Sequence, residues 1–236
     1  MKHGTGLSAH TSPVVRALLG AEVVAYVAVF IAYVWIALPD AGRLGAWNAA
    51  FGVFAIGVPV ALNLLHGDRP RDSGIRLDTL ACATRGVALA TAVMGGGVVA
   101  TGLVVGGLHW DGWARFGERI GLYLAWGLVQ QYLLQAFALR RLRQAGLPVA
   151  PAAVLAAGLF AAVHAPNWPL VALTAGAGCV WCVLFIRTPN LLPLGVAHAA
   201  LAVAVYYAWP MDWHMGLAIG PEYLQRAADV ARFGWP

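Results

Sequence analysis

Five polar side chains lie inside stretches of sequence that are otherwise almost wholly apolar. They are Gln130, Gln131 and Gln135 in one stretch, His164 at the end of the next, and His198 in the last. Imidazole has an ordinary pKa of about 6.5, whereas an amide only donates and accepts hydrogen bonds. In a site built from these residues, proton transfer would therefore fall to His164 or His198.

Helix geometry places these side chains at a similar depth in the membrane. At a rise of about 1.5 Å per residue, Gln130 lies roughly 15 Å from Arg140, His164 roughly 20 Å from Pro151, and His198 roughly 16 Å from Arg187. These three reference residues lie on the same predicted side of the membrane. Gln131 and Gln135 share a helix face, and Gln130 is turned from it by about 100°. The sequence predicts a pocket formed by Gln130, Gln131, His164 and His198. We expect Gln135 and, three residues after His164, Asn167 to contribute binding contacts.

Each of these residues also has a purely structural alternative. A histidine inside a membrane can bond a backbone carbonyl, and glutamine can join helices with a hydrogen bond of about 0.6 kcal/mol. Polar residues inside a span are nevertheless functional candidates, because each must be satisfied within the protein. Glu22 is the one carboxylate inside a predicted span, and either snorkelling or function explains its position near the end.

The elements that position these side chains are predicted to be membrane helices. A bilayer core of about 30 Å needs roughly 20 apolar residues of helix. The uncharged runs predict a single all-α membrane domain over residues 1–236 with about seven transmembrane helices, the first interrupted by Glu22. These runs are Ala17–Leu38, Trp47–Leu65, Gly86–Leu108, Ile120–Leu139, Val149–Val163, Leu170–Ile186 and Leu192–Trp209.

Composition excludes the classes that would otherwise compete with a membrane protein. Of the 236 residues, 61% are hydrophobic and 11% are charged, whereas a soluble domain carries about 25% charged residues. This balance excludes a secreted disulfide scaffold, a disordered chain and a nucleic-acid-binding protein, despite a net charge of +5. The three cysteines are interpreted as small core residues.

The basic residues indicate an orientation. Lys and Arg accumulate in cytoplasmic loops. Ten of the 15 fall at the N-terminal end and in alternate loops that would share one side, so we expect a cytoplasmic N-terminus in a bacterial inner membrane. These ten are Lys2, Arg16, Arg69, Arg71, Arg76, Arg85, Arg140, Arg141, Arg143 and Arg187.

The order and spacing of the polar residues resemble the motifs of the CPBP family of CAAX prenyl proteases and bacteriocin-processing intramembrane proteases. That family's motifs read Glu-Glu-x-x-x-Arg, Phe-x-x-x-His and His-x-x-x-Asn/Asp. The corresponding residues are Gln130-Gln131-x-x-x-Gln135, Phe160-x-x-x-His164 and His198-x-x-x-Ala202. The CPBP-like core spans about residues 119–209.

The resemblance implies hydrolysis of a peptide bond in a membrane-embedded or lipidated substrate, with a glutamate activating water and histidines orienting it or stabilising the oxyanion. Here both motif glutamates are glutamine, which cannot serve as a general base. No Asp or Glu occurs between Glu118 and Asp212. Replacing the motif arginine by Gln135 as well removes a buried ion pair as a set. We expect no metal or other cofactor, because two histidines with amides are poor zinc ligands.

Three hypotheses for function follow. The first is a CPBP-type intramembrane endopeptidase with a histidine as base. The second is a pseudoprotease that binds a membrane peptide or lipidated chain without cutting it, and the third is a small transporter, although no internal repeat supports it. The segment from Met211 to the C-terminus, which includes His214 and the sequence Gly220-Pro-Glu-Tyr223, either covers the pocket from outside or lies on the surface, and we expect the surface.

Overall fold

The computed structural model describes residues 12–36 and 45–234, and for 45–49 it describes the backbone alone. All regular elements in these ranges are helical. The α-helices are α1 (Pro13–Ile36), α2 (Gly45–Leu65), α3 (Leu80–Val105), α4 (Trp113–Gln131), α5 (Arg140–Gln144), α6 (Val149–Ala162), α7 (Trp168–Arg187), α8 (Leu191–Ala208), α9 (Met211–His214) and α10 (Gly220–Phe233).

The predicted helical membrane fold is confirmed. Within the described residues, α1, α3, α7 and α8 are long and apolar enough to cross a membrane, and shorter apolar helices cover Ala50–Leu65 and Val149–Ala162. In the part of the chain that the structure describes, each predicted segment lies on helical structure except for at most three residues at its end. The segment that carries the three glutamines is covered by α4 and its continuation.

That continuation departs from a plain α-helix. Beyond Gln131 the chain runs on as a π-helical segment, Tyr132–Leu139, and then as α5, with helical backbone angles at both junctions. The π-helical segment contains Gln135. Such π turns are rare and often occur at functional sites. Here the π-helical segment coincides with part of the glutamine cluster.

Side-chain caps fix where α7 and α8 begin. Asn167 accepts a hydrogen bond from the Leu170 amide at 3.3 Å, and Asn190 accepts one from the Leu192 amide at 3.2 Å. Asparagine is a preferred N-cap because its oxygen satisfies an amide that has no partner within the helix. These caps set the register of α7 and α8, and with it the direction of His198.

Small residues bring α4 and α8 close together. A Cβ added to Gly195 would lie 3.1 Å from the Cα of Leu128, and one added to Gly127 would lie 3.0 Å from the Gly195 carbonyl oxygen. Membrane helices approach closely through such residues. The contact places Gln131 on α4 beside His198 on α8.

Polar loops gather at one end of the bundle. Asp68 accepts hydrogen bonds from Arg140 at 2.5 Å and from the fully buried Arg141 at 3.0 Å. Burial alone would raise the pKa of Asp68, but the two guanidinium groups outweigh it and hold the pKa below its usual range. Lys2, one of the ten basic residues counted for orientation, lies outside the described residues.

Glu22 belongs to this polar end rather than to the glutamine and histidine residues. One carboxylate oxygen lies 2.8 Å from His66 Nε2, and the other lies 3.4 Å from Arg141 Nε. A carboxylate shared between two such groups ties α1 to α5 and to the loop after α2. Glu22 lines neither of the cavities described below.

Candidate functional site

A chain of hydrogen bonds links two glutamines to His198. Gln131 and Gln135 are fully buried. Gln135 Nε2 donates to Gln131 Oε1 at 3.2 Å, and Gln131 Nε2 lies 3.1 Å from His198 Nδ1. Because an amide NH₂ group only donates, Nδ1 must be the acceptor, and the neutral imidazole carries its proton on Nε2. The chain therefore presents His198 as a hydrogen-bond donor.

The imidazole of His164 is held in the opposite tautomer. Its Nδ1 lies 2.9 Å from the carbonyl oxygen of Phe160, one helical turn earlier. A carbonyl only accepts, so Nδ1 carries the proton and Nε2 of the neutral ring carries a lone pair. Within the described residues Nε2 has no hydrogen-bond partner, and the side chain is buried. His164 is thus able to accept a proton.

Aromatic rings hold both imidazoles in place. The ring of Phe160 packs edge-on against His164 at a centroid distance of 5.0 Å and against His198 at 6.0 Å. The indole of Trp181 stacks on His198 at 5.3 Å with an interplanar angle of 22°. Phe160 therefore lies between the two histidines, and both rings are restricted by packing as well as by hydrogen bonds.

Both histidines line one cavity of about 260 Å³. Gln130 lies on the same wall, as expected from its rotation away from Gln131. The Oε1 atom of Gln130 is buried and has no hydrogen-bond partner among the described residues. Gln130, His164 and His198 therefore meet at one cavity. Gln131 and Gln135 do not line it, but Gln131 contacts His198 and Gln135 donates to Gln131.

A smaller cavity of about 90 Å³ adjoins the first. Trp126, Gln130, His164 and Ile219 line both cavities. The rest of the smaller wall is almost wholly apolar and comes from α1, the π-helical segment, and α6 with the residue that follows it. These residues are Tyr26, Val27, Phe30, Leu133, Leu134, Phe137, Ala138, Ala156, Leu159, Phe160 and Val163.

Asn167 does not line either cavity. Besides capping α7, it donates through Nδ2 to the carbonyl oxygens of His214 at 2.9 Å and Ala218 at 3.0 Å. All of its hydrogen bonds thus go to the backbone, and the side chain is fully buried. The predicted direction of Asn167 toward the pocket is therefore wrong, because capping and the C-terminal segment occupy its amide.

The C-terminal segment covers the larger cavity, which corrects the expectation that it lies on the surface. Leu217, Ala218, Ile219 and Glu222 form part of the cavity wall. The Gly220 amide donates to the Ala165 carbonyl at 2.9 Å. Among the residues that the structure describes, Glu222 is the one Asp or Glu in the wall of this cavity.

Two further side chains hold this segment in its fold. Arg226 donates to the Met215 carbonyl at 2.9 Å and to Glu222 at 2.6 Å. His214 is fully buried and accepts a hydrogen bond from the Leu217 amide at 3.3 Å. Burial lowers the pKa of His214 to about 4, so the neutral ring that this acceptor role requires is the form present near neutral pH.

Residues 120–204 match the family model described as type II CAAX prenyl endopeptidase Rce1-like. The match covers about a third of the chain and supports the assignment of this region to the CPBP family. The match contains all three motif positions, from Gln130 to Ala202, and agrees with the assignment made from the motifs. No curated protein and no solved structure matches the chain.

The departures from the CPBP motifs are structurally consistent with one another. Gln135 stands where the family has arginine, and it donates to Gln131, which stands where the family has glutamate. The neutral pair thus keeps a donor and an acceptor in contact. Ala202, at the last position of the third motif, lies in the cavity wall but offers no polar group.

Helix α7 adds two polar residues to the cavity wall that were not predicted from the sequence to be site residues. Thr174 and Trp181 on α7 line the larger cavity, and seven residues, or two helical turns, separate them. The run around Trp181 is apolar, so the sequence carries no signal that this residue lines a cavity. In the described part of the chain, no group of three or more His, Cys, Asp or Glu is placed to hold a metal ion.

Proposed function

We propose that the protein is an intramembrane endopeptidase in which two histidines take over the work of the CPBP glutamates. The observation that carries this proposal is the pairing of opposite hydrogen-bonding states at one cavity. His164 presents a lone pair, because Phe160 binds its Nδ1–H, and His198 presents an N–H, because Gln131 binds its Nδ1.

The reaction divides between these two groups. His164 Nε2 takes a proton from water, and the resulting hydroxide oxygen bonds to the carbonyl carbon of the substrate. The Nε2–H group of His198 donates to the oxyanion that forms. The C–N bond then breaks as the His164 imidazolium returns its proton to the leaving nitrogen, so neither histidine is consumed.

The substrate is a peptide embedded in or attached to the membrane. The larger cavity has polar groups for the reacting peptide bond, and the adjoining cavity offers an apolar wall around Phe30, Leu133 and Leu159. An apolar side chain or a lipid attached to the substrate fits such a wall, since its burial is worth about 0.8 kcal/mol per CH₂ group.

A pseudoprotease that binds the same class of substrate without cutting it is the second candidate. The mutual hydrogen bonding of Gln131 and Gln135 favours it, because these buried amides are stable without any proton transfer. In this case the cavity would retain the recognition function and lose the chemistry.

Cleavage of membrane-tethered peptides, some of them prenylated, tests the two candidates in liposomes. The endopeptidase proposal predicts cleavage by the native protein and its loss in His164→Gln. His66→Gln serves as the matched control, because His66 pairs with Glu22 at the polar end of the bundle. No cleavage by the native protein, together with cleavage by Gln130→Glu or Gln131→Glu, would establish the pseudoprotease instead.

The basic end of the bundle is proposed to face the cytoplasm. Arg140, Arg141 and the loop containing Asp68 lie together there, and the positive-inside tendency favours that side for such clusters. Labelling Cys82, which is exposed at the start of α3 near this end, with an impermeant thiol reagent in intact cells and in inverted vesicles tests the orientation. Labelling in intact cells would contradict it.

A further inference from the structure

Two buried polar atoms, on residues that line the larger cavity, have no partner among the described residues. One is Gln130 Oε1, a hydrogen-bond acceptor, and the other is Trp181 Nε1, a donor. Trp181 has 2% of its surface exposed. An unpaired buried polar group destabilises a folded protein, so two on residues of one cavity call for an explanation.

Packing holds the side chains of Gln130 and Trp181 in the cavity wall. The indole of Trp181 stacks on the imidazole of His198, which itself is fixed by Gln131. Gln130 lies one residue before Gln131 on α4, where Gly127 and Gly195 bring α4 and α8 together. The acceptor and the donor therefore lie on two different helices, α4 and α7.

A peptide group has the matching pair of atoms. Its N–H and C=O point in opposite directions across a planar trans unit, and two groups on separate helices are suited to meet them. We propose that Gln130 Oε1 accepts from an N–H of the bound peptide backbone and that Trp181 Nε1–H donates to a C=O. Together they form an amide-recognition pair beside the two histidines.

This inference rests on the proposed binding of a membrane peptide, and it names the part of the peptide that is recognised. The ligand is an extended backbone with a free N–H at the site. A lipid chain alone, which lacks the N–H donor, would leave Gln130 Oε1 unpaired. Recognition and cleavage are separable, because neither group takes part in the proton transfers assigned to His164.

Equilibrium binding in liposomes, measured without relying on cleavage, tests the pair with two synthetic peptides. One is a membrane-spanning peptide, and the other is its twin with the amide N–H at the site replaced by an ester oxygen. The native protein should bind the amide about fivefold more tightly than the ester, which is the usual net effect of one neutral hydrogen bond. Gln130→Leu should abolish this preference.

Trp181→Phe keeps a ring against His198 and removes only the N–H. It should weaken binding of both peptides about fivefold and retain the preference for the amide. Trp126→Phe is the matched control, because Trp126 lines the same cavity but its indole nitrogen is not among the unpaired buried atoms. Thermal unfolding of each variant shows that the effect is local, and the Gln130 comparison stands if Trp181→Phe does not fold.

The outcomes separate this inference from the function on which it rests. If the native protein binds neither peptide, the peptide-binding function is refuted and the recognition pair with it. If it binds both, but Gln130→Leu keeps the amide preference or Trp181→Phe binds like the native protein, only the recognition pair is refuted.

Discussion

Replacing Gln131 by leucine should destabilise the protein and disable His198 at once. The change removes a donor to His198 Nδ1 and an acceptor for Gln135 Nε2. Gln135 is fully buried and His198 is half-buried. A buried group left unpaired costs about 1–3 kcal/mol, although hydrogen bonds between membrane helices average only about 0.6 kcal/mol. We expect a loss of about 1–3 kcal/mol in the free energy of unfolding.

Activity should fall for a different reason. Without Gln131, nothing fixes the proton of His198 on Nε2, and the oxyanion loses a positioned donor. The loss of one such donor lowers kcat by about 10²–10³. Since the substrate contacts of Gln130 are unchanged, KM should move much less than kcat.

The double variant Gln131→Leu/Gln135→Leu distinguishes the two effects. Replacing both members of a buried hydrogen bond by apolar groups is nearly neutral, so the double variant should be no less stable than Gln131→Leu. It should remain as inactive. Chemical unfolding in detergent micelles measures the stabilities, and Gln225→Leu on the exposed face of α10 is the control. Additive losses in the double variant would show that no hydrogen-bonded chain exists.

Three further predictions concern the surrounding structure. Gly195→Ala should push α8 away from α4, lower the stability by about 1–3 kcal/mol through overpacking, and lower the activity. Gly121→Ala is the control, because no atom lies within 4 Å of the added Cβ, and it should change neither property in the same unfolding and cleavage assays. Because the pKa of Asp68 is lowered in the folded state, its stabilising effect should be present above pH about 4 and be lost as the pH falls below it; Asp68→Asn should remove this dependence from acid unfolding curves. Asn167→Ala should cost about 1–3 kcal/mol for the carbonyls and helix end it leaves unpaired, and should speed proteolysis within the C-terminal segment; unchanged proteolysis would show that this contact does not hold the segment.

Periodicity and composition were sufficient to predict the helical membrane fold and the shared face of Gln131 and Gln135. The four-residue spacing brings their amides to 3.2 Å even across the start of the π-helical segment. The π-helical geometry itself has no signal in the sequence, because no proline or glycine lies within Tyr132–Leu139.

Asn167 and the C-terminal segment could not be placed by counting residues. The order Asn167-Trp168-Pro169 does carry a local signal, since an asparagine followed by proline in the first turn is typical of a helix start. Its bonds to His214 and Ala218 join residues 47 and 51 positions apart. Only the tertiary structure shows that these residues cover the cavity, and that Glu222 forms part of its wall.

Three glutamines stand where the CPBP motif has two glutamates and an arginine, and this exchange changes the free-energy cost of burying these side chains. An ion pair in a low-dielectric interior must repay the desolvation of both charges, and it fails if either partner is lost. The Gln131–Gln135 pair has no charge to desolvate, and it still supplies one acceptor and one donor. The Gln131 amide can donate to His198 Nδ1 and so keep the ring proton on Nε2, whereas a carboxylate has no hydrogen to donate. The same exchange that removes the CPBP glutamates therefore sets the state of His198, and this state complements the one that Phe160 imposes on His164.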